Sequence, residues 1–372
     1  MAFTFIHTAD WQLGKQFGGF GDAAPLLQQA RLDCIERIAT VARSVGARHV
    51  IVAGDVFDSR TPSADLRQRA FKTMGAQRDI IWHLLPGNHD PAEAGSFWLR
   101  ADAVAGQSNV RLLIANTPID IEPGVVLLPA PLAAKAMATD PTAWMDLCDT
   151  AAGTIRIGVA HGSVQGFGSD GDAAVPIAPD RPRLARLAYL ALGDWHGVTK
   201  VSDRAWYSGA PEPDQFPSNR PGFVLRVDID DAQAVPRVSE IATAQYTWLK
   251  RAVTVTSAAD IEPVIREVAA LGPAAQRLLL ELTVSGQVTL SDASTIETTL
   301  DRLATEVRLL RRKLERLVVV AAVGDIAQLP DGSVRSVAER LQKAAADGDE
   351  IAVLALRKLM MLAADQTAPV PS

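Results

Sequence analysis

Val50-Ile51-Val52-Ala53-Gly54-Asp55-Val56-Phe57-Asp58 is a short β-branched run that stops at a glycine and then presents two acids. It reads as a buried strand followed by a sharp turn. Four other runs end in the same way. Asp10 follows Phe3-Thr4-Phe5-Ile6, and Gly87-Asn88-His89-Asp90 follows the run at 80–85. His161 follows Ile155-Arg156-Ile157-Gly158-Val159, and Gly193-Asp194-Trp195-His196 follows Tyr189-Leu190-Ala191-Leu192. Strands that each end on a carboxylate, amide or imidazole bring those groups to one edge of a sheet, where open α/β sheets hold their ligands.

The intervening segments fit this arrangement. Pro25 opens an amphipathic helix to about Gly46, with Leu26, Leu27, Ala30, Cys34, Ile38 and Val41 near helical spacing, and a second helix runs from Pro62 to about Gly75. Strands at 3–8, 49–53 and 79–85 surround these helices, and others lie near 110–114, 125–129, 155–160 and 189–192. This order predicts an α/β fold, mostly parallel central sheets flanked by helices. The Gly-, Asp- and Pro-rich stretch 162–182 predicts a long surface loop beside His161, and short strands at 204–208, 222–229 and 237–241 end a first domain, 1–246. A second β-α-β-α-β order (strand 251–256, helix 259–271, strand 277–285, helix 292–312, strand 316–321) predicts a small α/β domain at 247–322. After a linker from Gly324 to Gly332, helices at 334–346 and 349–364 make a C-terminal segment, 333–364, and the tail from Thr367 to Ser372 reads as disordered.

Apolar residues are 48% of the 372, ample for a core. No stretch approaches twenty uninterrupted apolar residues, so no membrane span is expected. An acid of the series already at position 10 argues against a cleaved leader. Cys34 and Cys148 are too few for a disulfide framework and read as buried small hydrophobes in a reducing cytoplasm. A net charge of −6 is not the footprint of a stand-alone nucleic-acid binder, so a polyanionic substrate needs a local basic strip or a partner.

Three carboxylates, an amide and two or three imidazoles suit two divalent cations sharing an acid. Phosphate esters resist hydrolysis because their negative oxygens repel a nucleophile. Two cations about 4 Å apart neutralise those oxygens and hold a bridging hydroxide for in-line attack. Asp55 is the natural shared acid, and Asn88 can give its amide oxygen. His89 is placed to protonate the leaving oxygen, and Asp58 to orient a histidine from outside the inner ligands.

Asp-x-(His), Gly-Asp-x-x-Asp, Gly-Asn-His-Asp, a lone His and Gly-(His)-x-His, in that order, resemble the calcineurin-like metallophosphoesterases. Within them, His7-Thr8-Ala9-Asp10-Trp11-Gln12-Leu13-Gly14-Lys15 and Ala53-Gly54-Asp55-Val56-Phe57-Asp58 are similar to the SbcD-type DNA repair exonucleases. The resemblance covers residues 1 to about 230; the domain at 247–322 is similar to that family's capping domain in position and size only. It implies one metal on Asp10, Gln12, Asp55 and His196, a second on Asp55, Asn88, His161 and Asp194, and His89 as the catalytic histidine. It further implies a C-terminal region that binds an SbcC-type coiled-coil ATPase, and a homodimer formed through the helices at 25–45 and 62–75. Gln12 and Asp194 depart from the family, which has His at both places. Their oxygens still suit hard cations, and two imidazoles among five oxygen donors favour Mn²⁺ or Mg²⁺ over Zn²⁺. The added charge at Asp194 softens Lewis acidity, so a lowered turnover is expected.

Trp11 and Trp195 adjoin ligand positions, where an indole either stacks on a substrate base or packs in the wall; Phe97 and Trp98 pose the same choice. His7, His49 and His83 read as core histidines. The cluster Arg308, Arg311, Arg312, Lys313 and Arg316 is expected on a helix, as a solvated face paired with Glu297, Asp301, Glu306 and Glu315 or as a phosphate strip. The last helix carries Ile351, Leu354, Ala355, Leu359 and Leu362 on one face and Val353, Leu356 and Met360 on another, more than one docking surface needs. The expected protein is thus a Mn²⁺-dependent DNA exonuclease or endonuclease acting in repair with an ATPase. The alternatives are a phosphodiesterase or phosphatase for small nucleotides or phosphorylated metabolites, and a structural subunit that docks the ATPase.

Overall fold

The computed structural model describes residues 2–100, 106–166, 174–216, 219–320, 326, 329 and 332–365. Two compact units divide the chain, Met1–Tyr246 and Thr247–Ser372. Strands of the first unit, in chain order, are β1 (Phe3–Thr8), β2 (His49–Val52), β3 (Ile81–Leu84), β4 (Val110–Leu112), β5 (Ile119–Glu122), β6 (Val125–Ala130) and β7 (Ile155–His161). They continue with β8 (Ser163–Val164), β9 (Pro176–Ile177), β10 (Tyr189–Gly193), β11 (Thr199–Ser202), β12 (Ala205–Tyr207), β13 (Phe223–Ile229) and β14 (Arg237–Ala242). Its helices are α1 (Ala24–Ser44), α2 (Ala64–Ala76) and the short α3 (Arg181–Leu184).

Two six-stranded sheets stack face to face. The first runs β14-β13-β1-β2-β3-β4, with β1 to β4 parallel and β13 and β14 added antiparallel. The second runs β11-β12-β10-β7-β6-β5, parallel except for its edge strands β5 and β11. Alternation along β1 shows how they are filled. Phe5 enters the layer between the sheets with Ile51, Leu127, Ile157, Tyr189 and Val227, while Ile6 faces α1 and α2 with Val50, Trp82, Ile35, Ile38 and Phe71. The second sheet's outer face is covered by loops and short turns around Met145, Val164, Ile177 and Leu187 rather than by long helices.

His7, His49 and His83 are buried, as expected. His7 meets the Tyr189 hydroxyl at 3.0 Å and the Leu192 carbonyl at 3.2 Å, and His49 joins His83 (2.9 Å) to Glu122 (3.1 Å). Burial pushes the His7 and His83 imidazoles down to about 3. The stretch expected as a loop at 162–182 contains the β8–β9 pair and the start of α3, and its residues 167–173 lie outside the described set. Cys34 is buried as read, whereas Cys148 is only partly so.

The second unit is a parallel sheet of β15 (Thr247–Val255), β16 (Leu278–Thr289) and β17 (Leu309–Val320), linked through α4 (Glu262–Ala270) and α5 (Leu290–Glu306). One expectation is corrected here: the helix foreseen to residue 312 ends at Glu306, and Arg311, Arg312, Lys313 and Arg316 lie on β17, just after Arg308. Leu, Arg, Lys and Glu are all good helix formers, which makes this stretch look helical on its own. Pairing from Leu279↔Leu309 to Thr289↔Val320 claims its backbone instead. Much of the cluster's charge is paired, Arg311 (3.6 Å) and Lys313 (3.1 Å) to Glu281 and Arg312 to Asp301 (2.7 Å).

Helices α6 (Ser333–Ala346) and α7 (Glu350–Asp365) follow, packing Ala338 and Leu356 together, with Ile351 and Leu354 exposed. Most of the expected linker at 324–332, the tail from Thr367 and the side chains of Met360 and Leu362 lie outside the described residues. No helix among the described residues is long and apolar enough to cross a membrane.

Candidate metal centre

Register decides where the polar groups emerge. Thr8, Val52 and Leu84 stand side by side at the ends of β1, β2 and β3, and His161 stands beside Gly193 at the ends of β7 and β10. The loops beyond are zipped together by Asp10 N to Gly54 O (3.1 Å), Gln12 N to Asp55 O (2.8 Å) and Leu13 N to Val56 O (2.9 Å). To make these bonds Asp10, Gln12 and Asp55 adopt left-handed φ angles of 55°, 43° and 53°, and Asp194 takes 103°. Such backbone is strained for residues other than glycine and concentrates at functional sites. Glycine permits close approach, between the two sheets where a Cβ on Gly193 would lie 2.0 Å from the Ala53 oxygen, and between the loops after β2 and β3 where one on Gly87 would lie 2.1 Å from Asp55 Oδ1.

Asp10, Asp55 and His161 offer ligand atoms within 4.8 Å of one another, and all three are buried. His161 Nδ1 donates to the Ala53 carbonyl at 2.9 Å, which aims Nε2 inward, 3.5 Å from Asp55 Oδ1 and 3.9 Å from Asp194 Oδ1. Asp194 is held by the Asn88 amide (3.5 Å) and the Ser163 hydroxyl (2.7 Å), and its own N–H reaches the Asp10 carboxylate at 3.2 Å. Neither His161 Nε2 nor Asn88 Oδ1 has a hydrogen-bond partner, although both are buried. A buried amide oxygen and a buried imidazole nitrogen without partners, beside three carboxylates, are what a divalent cation satisfies. The electrostatics show that the site draws positive charge. Burial alone would lower the His161 pKa, but the Asp55, Asp10 and Asp194 carboxylates lift it to about 9, so a cation arriving at Nε2 displaces a proton. Burial raises Asp10 to about 6 against the pull of His196 and His161.

At the rim His89 is part-exposed, its Nδ1 3.5 Å from Asp58 Oδ1 and its Nε2 3.9 Å from Asp55 Oδ2. Trp195 is 38% exposed beside Asp194. Trp11 does not share that setting and is corrected as a substrate contact: it is 2% exposed, its indole N–H bonds Thr8 Oγ1 and its ring meets Trp82 edge-on. Phe97 and Trp98 are core residues as well.

Two acids escaped the sequence reading as functional groups. Asp90, fully buried, accepts from the backbone N–H of Gly87 (2.8 Å) and of Phe57 (2.9 Å), so it ties together the loops that carry Asn88 and Asp55. Burial, reinforced by the Asp55 charge, pushes its carboxyl well above the usual range. Its signal was the last letter of Gly-Asn-His-Asp. Asp214 lies 3.2 Å from His196 Nδ1 and 3.0 Å from Lys15 Nζ. Despite burial, His196, Arg31 and Lys15 hold its carboxyl far below the usual range, and nothing in its Pro-rich surroundings advertised it.

Residues 3–225, more than half of the chain, match the calcineurin-like phosphoesterases. The chain belongs to that family. It is accordingly a metal-dependent phosphoesterase, and the buried Asp10, Asp55 and His161 cluster is where divalent metal fits. Among curated proteins it is similar to the D subunit of the SbcCD nuclease of Bacillus subtilis (strain 168), 26% identical over 272 residues, 61% of this chain. It spans 66% of that relative's length. Among solved structures, TT1561 of Thermus thermophilus overlays 65% of this chain and 100% of its own at 12% identity and a TM-score of 0.43. A dimetal phosphatase from Danio rerio overlays 63% of this chain and 98% of its own at 14% identity and a TM-score of 0.37. Overlays this loose carry no weight for substrate or chemistry.

Proposed function

We propose that this phosphoesterase is a DNA exonuclease or endonuclease that acts in repair beside an SbcC-type coiled-coil ATPase. The observation that carries the reading is the buried donor set where strand ends of the two sheets meet, with two unpartnered buried atoms, lying under a part-exposed histidine. Similarity to a nuclease subunit supports DNA as the substrate. Asp10, Gln12, Asp55, Asn88, His161, Asp194 and His196 are the side chains proposed to line the cation positions. Bound divalent metal supplies charge neutralisation at the phosphate and activation of water, and this oxygen-rich set favours Mn²⁺, then Mg²⁺, over Zn²⁺.

The chain's own groups do the rest. The Ala53 carbonyl fixes the His161 tautomer so that Nε2 faces the site. Asp90 holds the two central loops in register. The Asp58 carboxylate orients the His89 ring through Nδ1, leaving Nε2 to give its proton to the leaving oxygen. Trp195 offers an indole face on which an unpaired base can stack, worth roughly 1–3 kcal/mol. The ATPase would dock on the segment that exposes Ile351 and Leu354, and two copies would pair through α1 and α2.

The test is Mn²⁺-dependent hydrolysis of end-labelled linear DNA beside an Asp55→Asn protein. Nucleotide release that disappears in the variant is expected. Intact DNA together with cleavage of a small aryl phosphodiester would shift the reading to small nucleotides, which the net charge of −6 favours. Silence on both would leave a structural subunit.

A further inference from the structure

We propose that the Gln12 amide closes one of the two cation positions implied by the family resemblance, so that the resting chain takes up a single divalent ion, on Asp55, Asn88, His161 and Asp194. The inference rests on the metal-dependent reading above and concerns how many ions the chain holds. Gln12 is 1% exposed, and its amide is tied at both ends. Lys15 Nζ lies 3.2 Å from Gln12 Oε1. An ammonium can only donate, so the amide oxygen must face Lys15; the reversed amide would set NH₂ against NH₃⁺. The amide nitrogen therefore points into the site, 3.4 Å from Asp55 Oδ2 and 3.3 Å from His196 Nε2.

The remaining partners agree with this direction. His196 Nδ1 faces Asp214 Oδ2 at 3.2 Å, and a carboxylate accepts. His196 Nδ1 thus carries a proton, and in the neutral ring this leaves the Nε2 lone pair to receive the Gln12 N–H. Lys15 Nζ also reaches Asp214 Oδ2, at 3.0 Å, which closes a ring: Lys15 to Gln12 to His196 to Asp214 and back to Lys15. Every donor in the ring meets an acceptor.

An amide nitrogen has no lone pair to give a cation. With its oxygen turned away Gln12 contributes no ligand, and it occupies Asp55 Oδ2 and His196 Nε2, two of the atoms that a cation at this position would need. The neighbouring position is the reverse case, since Asn88 Oδ1 and His161 Nε2 are buried without a hydrogen-bond partner. One position is thus filled by hydrogen bonds while the other lacks only an ion.

The test is a Mn²⁺ titration of the full chain after chelator stripping, counting bound ions by calorimetry and reading Mn–Mn exchange coupling by electron paramagnetic resonance. Wild type should bind one ion with an uncoupled spectrum, and Gln12→His two with a coupled one. A coupled pair in wild type would overturn the proposal. No ion at all would remove the metal-dependent reading, and this inference with it. If Gln12→His does not fold, Lys15→Met substitutes for it: with no ammonium to hold the oxygen outward, the amide can turn and uptake should rise to two. Uptake that stays at one in the folded variants would overturn the role given to Gln12.

Discussion

His7 and His83 are imidazoles that burial keeps neutral, with folded pKa values of about 3 against an ordinary 6.5. Below pH 6.5 the unfolded chain takes up protons that the folded one refuses, so their contribution is complete above that pH and drains away toward pH 3. At pH 5 the loss is about 2 kcal/mol for each group. His7→Gln, whose amide can serve both the Tyr189 hydroxyl and the Leu192 carbonyl, should lose about 2 kcal/mol of that acid sensitivity, read as urea midpoints at pH 7 and pH 5. Equal sensitivity in both proteins would remove His7 from the account. His89→Asn should slow cleavage about 10²–10⁴-fold with Mn²⁺ uptake unchanged, and a parallel loss of uptake would make it a ligand instead. At this scale the sequence exposed the residues at strand ends, because a ligand following a strand is a local pattern. Asp214 was hidden because His196 and Lys15 reach it only through the fold. Of the two roles open to Trp11 the fold selects packing in the wall, because neighbours in a tight turn point to opposite sides; Asp10 and Gln12 face the site, and the indole between them faces Trp82.

At the level of elements, the β-α-β order of the first sheet was legible from periodicity, and the β-α-β-α-β order of the second unit as well. β5 and β11 were not, being four-residue edge strands with little apolar signal. The first residues of β17, 309–312, were mistaken for helix because their types favour one, and only the partner β16 decides otherwise, while the strand expected at 316–321 falls on its second half. The meeting of the two large sheets depends on Gly193, whose added methyl would strike the Ala53 oxygen and come within 2.7 Å of His161 Nδ1. Gly193→Ala should therefore cost about 1–3 kcal/mol in urea denaturation, as overpacking does, and should weaken Mn²⁺ uptake by displacing His161. A variant as stable as wild type would mean that the sheets part there easily.

On the scale of the molecule, the two large sheets and their helices bury their apolar residues within Met1–Tyr246. The end of that unit is anchored: Glu212 accepts from the N–H of Gln245 (2.7 Å) and of Tyr246 (3.1 Å), and Arg37 donates to the Thr243 carbonyl at 2.7 Å. A fragment ending at residue 246 should accordingly melt cooperatively and bind Mn²⁺ as the whole chain does. A broad melt with no uptake would show that the second unit is needed for the first to fold.

Asp10, Gln12 and Asp55 stand where the backbone suits glycine, at φ from 43° to 55°. Holding any other residue there costs about 1–3 kcal/mol. Selection for thermal robustness alone, blind to turnover, would therefore drift toward glycine at these positions first. In a randomised library of this chain, the hardiest survivors would tend to be the ones that had forgotten their chemistry.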